Sequence, residues 1–275
     1  MKIFHDVAPL REALRANGRV VLVPTMGNLH DGHIRLVQDA RAHGDAVVAT
    51  IFVNRLQFRP GEDFEKYPRT LAADCARLEA AGVEYLFAPA EEVMYPVPQR
   101  YHIEVPAALA DILEGEIRPG HFRGVATVVM KLFQIVRPDA ALFGKKDYQQ
   151  MLVLTDLVRE FNLPSDVIPG ETVRAPDGLA LSSRNGYLTA TERAEAPRLH
   201  RLLTALVDAV RAGRRDFLVL ETNVMTALAA HGWAPDYVAI RRRADLQPPE
   251  RLDDALVVVA AAKLGTTRLI DNLEI

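Results

Sequence analysis

The stretch that most constrains this chain is Val20-Val21-Leu22-Val23-Pro24-Thr25-Met26-Gly27-Asn28-Leu29-His30-Asp31-Gly32-His33. Four apolar residues ending in proline suit a strand buried on both faces, the signature of a parallel sheet. Gly27 opens backbone paths closed to larger residues and lets a ligand approach the main chain. Asp31 is placed to cap the helix that follows, whose free N–H groups and positive dipole end favour an anion. His30 and His33, three residues apart, fall on one face of that first turn. Strand, turn and helix start therefore read as a phosphate site with two imidazoles aimed into it. Structural histidines and metal ligands are the alternatives. No Cys or acidic cluster completes a zinc set, and the HExxH, GxxxxGK[ST] and GxGxxG patterns are all absent.

Similar strand-like runs recur. Residues 46–53 form a second apolar run, followed by Asn54 and Gln57, whose amides suit hydroxyls and carboxylates. Residues 71–81 read as a helix and 84–88 as a third strand, then a proline-bearing loop over 89–100 and a strand over 101–105. Val125, Val128, Val129, Leu132, Phe133 and Val136 make a helical stripe, opened by Arg118, His121 and Arg123, for which anion contact and surface roles both stand. Residues 140–143 are a fourth strand, leading into Gly144-Lys145-Lys146-Asp147-Tyr148-Gln149-Gln150, and 166–169 a fifth. Lysine is a point-charge partner for phosphate, and Leu181-Ser182-Ser183-Arg184-Asn185 adds two hydroxyls and a guanidinium.

Alternating strands and helices predict an α/β fold: a Rossmann-like parallel sheet with helices on both faces, with ligands beyond the carboxyl ends of its strands. After residue 190 the pattern changes. Helices over 199–210 and 216–231 precede strand candidates at 237–240, 256–260 and 267–270, which predicts a smaller α+β domain over 173–275 covering the site of the first, 1–172. A chain of 275 residues accommodates both. Its net charge of −3 offers no electrostatic reason to expect nucleic acid or a membrane as partner. Arg241-Arg242-Arg243 reads as a solvated strand end. The single cysteine, Cys75, rules out an internal disulfide, reads as a small core residue and fits a reducing cytoplasm. Neither a signal peptide nor a membrane-spanning run is expected.

Taken in order, Pro24 to His33, Ile51-Phe52-Val53-Asn54-x-x-Gln57-Phe58, Tyr67-Pro68-Arg69-Thr70, Arg118 to Gly124, Phe143-Gly144-x-Lys146-Asp147-Tyr148-Gln149-Gln150 and Leu181 to Asn185 resemble the pantothenate synthetase family. The resemblance implies a nucleotidyl-transfer domain whose HxxH is similar to the HIGH signature of class I aminoacyl-tRNA synthetases. It implies a homodimer assisted by Mg²⁺, joining pantoate to β-alanine with ATP through a pantoyl adenylate and releasing AMP and pyrophosphate. His30, His33 and Lys146 are then the catalytic residues. Met26, Gly27, Asn28, Leu29, Asp31, Gly32, Gly144, Lys145, Asp147, Val173, Leu181, Ser182, Ser183 and Arg184 join them around ATP. Gln57 and Gln150 hold pantoate, Gln57 also lying near β-alanine, and no residue serves as a dedicated metal ligand. Arg55 and Lys145 depart from the family pattern and add charge beside the site. Two rivals remain: a nucleotidyltransferase that leaves the nucleotide on its product, and a nucleotide sensor without chemistry.

Overall fold

The computed structural model describes every residue except 60, 63, 252 and 253. Six strands form one sheet: β1 (Lys2–Phe4), β2 (Val20–Thr25), β3 (Ala46–Ile51), β4 (Tyr85–Phe87), β5 (Ala140–Gly144) and β6 (Asp166–Gly170), in the order β1-β4-β3-β2-β5-β6. Every pairing is parallel. β2 and β3 are apolar except for Thr25 and Thr50, because both faces are covered. Alternate residues Val20, Leu22 and Val48 join the core shared with the helices Val7–Leu14, His121–Val136 and Tyr148–Glu160. Val21, Val23, Val47 and Ala49 join the core under Asp31–Ala40 and Leu71–Ala80. The expected helices on both faces are present.

The chain runs outward from β2 through β3 to β4, then crosses back along His121–Val136 to lay β5 on the other side of β2. A crevice opens where strand order reverses, so the segments following β2 and β5 face each other across it. That topology brings Gly27–His33 beside Gly144–Gln150.

The second sheet is antiparallel: β7 (Trp233–Arg242), β8 (Leu256–Leu264) and β9 (Thr267–Glu274), in that order. Arg198–Arg211 and Phe217–Ala229 pack against it around Leu203, Leu228 and Ile240. Ala239, Leu246, Val257 and Val259 lie instead in the large core of the first sheet, so the two units share buried apolar surface. Among the described residues no helix is long and apolar enough to cross a membrane.

Three features differ from the expectations. Residues 101–105 are not a strand: Tyr101 is 90% exposed, and the Ile103 N–H donates to Thr127 Oγ1 at 3.0 Å rather than to a neighbouring strand. β1 carries no signal in the sequence, being three residues on a sheet edge with two of them exposed, too short to show a period. The third concerns Asp31, which does not cap the helix it opens. Elsewhere Arg241 and Arg242 end β7 and Arg243 follows it, but as paired side chains, facing Glu221, Asp245 with Glu250, and Glu274. Cys75 is half-buried against the core beneath its helix.

Candidate active site

His30 caps Asp31–Ala40 itself. Its Nδ1 accepts the Gly32 N–H at 3.1 Å, while His33 Nδ1 accepts the His30 N–H at 3.3 Å. The two imidazoles thus perform the reciprocal capping that Ser and Glu perform elsewhere, satisfying two N–H groups that a helix start leaves open. Gly32 is required by this arrangement, since a Cβ there would sit 2.8 Å from the His30 ring. With each Nδ1 accepting, the neutral tautomer carries its proton on Nε2, leaving an N–H donor on each ring for a ligand. Both rings are neutral near pH 7. Burial, then His33 and Lys146, hold His30 down to about 3; burial, then Lys146 and Arg77, hold His33 down to about 4.

The turn before them is fixed from a distance. Gly27 has φ +82° and Asn28 φ +50°, so two successive residues lie in the left-handed region. Asp74, 2% exposed, accepts the N–H groups of Asn28 at 2.9 Å and Leu29 at 2.8 Å and the Thr70 hydroxyl at 3.0 Å. Ser183 Oγ donates to the Asn28 carbonyl at 3.1 Å, tying the serine loop to the first motif across 155 residues.

The Asn54 side chain makes four hydrogen bonds around Gln57. Its Oδ1 accepts the Leu56 N–H at 3.3 Å and the Tyr95 hydroxyl at 2.7 Å. Its Nδ2 donates to Gln57 Oε1 at 3.0 Å and to the Gly124 carbonyl at 3.1 Å. It therefore caps the turn Arg55–Gln57 and also aims the glutamine beyond it. His121 Nδ1–H donates to the Gln57 carbonyl at 2.9 Å, its Nε2 facing the Arg118 guanidinium at 3.2 Å. Burial, then Arg118, hold that imidazole down to about 4.

A cleft of about 240 Å³ gathers Met26, His30, Gly32, His33, Gln57, Gly144, Lys146, Asp147, Gln150, Val173, Leu181, Ser182, Ser183 and Arg184. The two histidines, the lysine turn and the serine loop thus share one crevice. Gly27, Asn28, Leu29, Asp31 and Lys145 do not line it. The first three form the supporting turn, Leu29 being buried in the core. Asp31 points outward to Arg77, and Lys145 turns to Glu171 and Glu274. Arg55 is likewise drawn away, to Glu65 and Glu91, with its guanidinium over the Phe64 ring.

Several lining residues escaped the sequence. Val125, Val128, Val129 and Leu132 of His121–Val136 wall one side with Pro24 and Phe52. Their spacing marks burial but does not distinguish a core from a pocket wall. Glu171 and Thr172 follow β6, a position at a strand's carboxyl end that itself signals a site. A second cavity of about 450 Å³ adjoins the first, sharing Arg118, Lys146 and Arg184 with it and bounded beyond them by β8 and β9. Neutral N–H donors, an ammonium and a guanidinium in one crevice suit a polyphosphate, and an apolar wall with two primary amides suits a small branched acid.

Known proteins bear on this arrangement directly. The family model for pantoate–β-alanine ligase matches residues 2–274. A pantothenate synthetase of Thiobacillus denitrificans is 57% identical over 275 residues, covering all of this chain and 97% of its own. The crystal structure of pantothenate synthetase from Thermus thermophilus is similar with a TM-score of 0.95 at 45% identity, over 100% of this chain and 99% of that one. That of a pantoate–β-alanine ligase from Francisella tularensis, complexed with β-γ ATP and β-alanine, has a TM-score of 0.83 at 34% identity, over 100% and 97%. A parallel sheet with a nucleotide-type crevice, an antiparallel second unit and end-to-end similarity of this depth lead to one assignment: the chain belongs to the pantoate–β-alanine ligase family.

Proposed function

We propose that this chain forms pantothenate from pantoate and β-alanine by way of a pantoyl adenylate. A carboxylate oxygen of pantoate attacks the α-phosphorus of ATP, the bond from that phosphorus to the bridging oxygen breaks, and pyrophosphate leaves. The neutral amine of β-alanine then attacks the acyl carbon; the acyl–oxygen bond breaks, AMP departs, and the amide nitrogen loses a proton. Holding the two reactants in line contributes on the order of 7 to 11 kcal/mol. Donors already aimed at the developing charge contribute about 3 kcal/mol each.

In this reading the Nε2–H groups of His30 and His33 and the Lys146 ammonium meet the phosphate oxygens as charge builds on them. Ser182 and Arg184 bind the outer phosphates, while Ser183 holds its loop against Asn28. Backbone groups of Met26, Gly27, Gly144, Val173 and Leu181 meet the nucleotide, Asp147 its ribose. Gln57 and Gln150 hold pantoate, whose two methyl groups fit the valine wall, and Gln57 also reaches β-alanine. What carries the reading is that both neutral imidazoles and Lys146 line the same cleft as both glutamines.

Mg²⁺ accepts one or two carboxylates with the remaining ligands from phosphate and water. Asp147 and Glu171 bring two carboxylates to the cleft. No group of three or more His, Cys, Asp or Glu side chains able to hold a metal occurs among the described residues. These residues fit an ion that arrives with the triphosphate; with Asp147 turned to the ribose, Glu171 would hold it. Bound there, Mg²⁺ supplies neutralisation of phosphate charge. A domain boundary at residues 172–173, a homodimer and a cytoplasmic setting complete the proposal; the lone cysteine is in keeping with the last.

The deciding experiment supplies ATP, Mg²⁺ and pantoate with and without β-alanine and weighs the products. Pantothenate and AMP should appear only with the amine, and without it the reaction should stop at an adenylate mass. A nucleotide-capped product formed independently of the amine would assign the chain to nucleotidyl transfer instead, and nucleotide binding without turnover to sensing. Lys146→Ala should slow adenylate formation by about a hundredfold to a thousandfold while leaving the circular dichroism spectrum unchanged. A rate within a few fold of wild type would remove Lys146 from the chemistry.

A further inference from the structure

Strand β9 breaks its own alternation. Thr267, Leu269, Asp271 and Leu273 share one face, yet Asn272, on the opposite face, is 6% exposed. That face looks onto the first unit. Asn272 Nδ2 donates to the carbonyl of Lys145 at 2.8 Å and to that of Lys146 at 2.9 Å, so one primary amide grips two successive peptides of the turn that presents Lys146 to the cleft. Two residues on, Glu274 accepts from Lys145 Nζ at 3.3 Å and from the Tyr148 hydroxyl at 3.2 Å, closing on the same turn from its far side.

The neighbouring residue ties down a second stretch of the lining. Asp271 takes the Arg174 guanidinium in a bidentate pair, 2.8 and 2.9 Å, and Arg174 also donates to the Asn272 carbonyl at 3.2 Å. Arg174 follows Val173, whose carbonyl accepts the Leu181 N–H at 3.0 Å, one residue before the serine loop. The Asp271-Asn272 dipeptide therefore holds both the lysine turn and the segment leading to Ser182–Arg184, two parts of the lining of one cleft.

We propose that Asn272 is a positioning residue for adenylate formation: through the Lys145 and Lys146 carbonyls it sets where the Lys146 ammonium stands relative to the phosphate-binding loop. It touches no substrate and acts through the lysine turn. The inference rests on the ligase reading above, because it assigns Lys146 its task. A lysine misplaced by about 1 Å loses a large part of its effect on an in-line displacement.

Asn272→Asp keeps the shape of the side chain and removes both amide protons. It should lower kcat/KM for ATP by about tenfold to a hundredfold and leave the KM for β-alanine within twofold, while the buried carboxylate lowers the thermal transition of the full chain. In the Lys146→Ala background the same change should cost less than twofold, because an interaction that works through Lys146 has nothing left to lose. Asn272→Ser, which keeps one donor, should fall between wild type and Asn272→Asp; it carries the same comparison should Asn272→Asp fail to fold. Wild-type kcat/KM for ATP in these variants, or losses that multiply with Lys146→Ala, would overturn the proposal. Wild-type enzyme that makes no pantothenate would overturn the ligase reading instead, so the two failures are told apart.

Discussion

Three imidazoles, His30, His33 and His121, sit in the folded chain at about 3, 4 and 4, against 6.5 for exposed histidine, each lowered first by burial. Groups depressed in this way stay neutral when folded and take up protons when unfolded. Between about pH 6.5 and 5 the unfolded chain therefore binds up to three protons that the folded chain does not, and stability falls as pH falls. The slope reaches about 4 kcal/mol per pH unit, three times the single-proton value of about 1.4. Urea unfolding at pH 7 and pH 5 should show the loss, and His121→Gln should reduce the slope by about a third; an unchanged slope would mean that His121 is charged in the folded state. At this scale the sequence is readable in part. Spacing identifies the HxxH pair and Lys146 because strand ends and helix starts are where ligands are met. That the histidines cap their own helix is not readable, since imidazole is an unusual cap and the pairing depends on which ring nitrogen faces the backbone. Asp74 and Asn272 act across 45 and 126 residues, a separation at which no local pattern survives.

Among the elements, the helix His121–Val136 both walls the cleft and abuts the turn that carries Gln57. It approaches the turn Arg55–Gln57 so nearly that a Cβ on Gly124 would sit 2.2 Å from the Leu56 carbonyl oxygen. Gly124→Ala must push helix and turn apart. We expect a cost of about 1 to 3 kcal/mol in urea unfolding, as for an overpacked core, and a weaker titration with pantoate than with ATP, because the displaced turn carries Gln57. Equal weakening for both ligands would contradict the assignment of that turn to the acid. The valine stripe of this helix is legible as burial from its spacing, whereas its second use as a pocket wall is not, since facing a core and facing a ligand demand the same residues. The strands buried on both faces, β2, β3 and β5, are legible because nearly every position in them is apolar. The run at 101–105 misleads for the complementary reason: its apolar residues suit a strand, but among the described residues no strand pairs with it.

Over the whole molecule, the two units are joined by charge as well as by apolar contact. Arg268 of β9 reaches Glu114 with two bonds of 2.7 Å and Asp236 with one of 2.6 Å, and the Tyr237 hydroxyl donates to Glu114 at 2.7 Å. Glu114 follows Leu113, a bulky residue held at φ +52°, and its N–H is accepted by Gln149 at 3.1 Å. Arg268→Leu strands two largely buried carboxylates and should destabilise the chain by about 3 to 5 kcal/mol, and Glu114→Leu in the same chain should restore much of the loss. Urea midpoints of the two variants test this, and additive losses would show that the ion pair is not the origin. The large core, to which Val257 and Val259 belong together with residues such as Phe122 and Leu154, adds a consequence for dissection of the gene. Neither half made alone can cover its own oily flank, so separately expressed fragments should clump or be degraded. Made together, they would regain turnover only by finding one another, which would turn the pair into a split reporter of association.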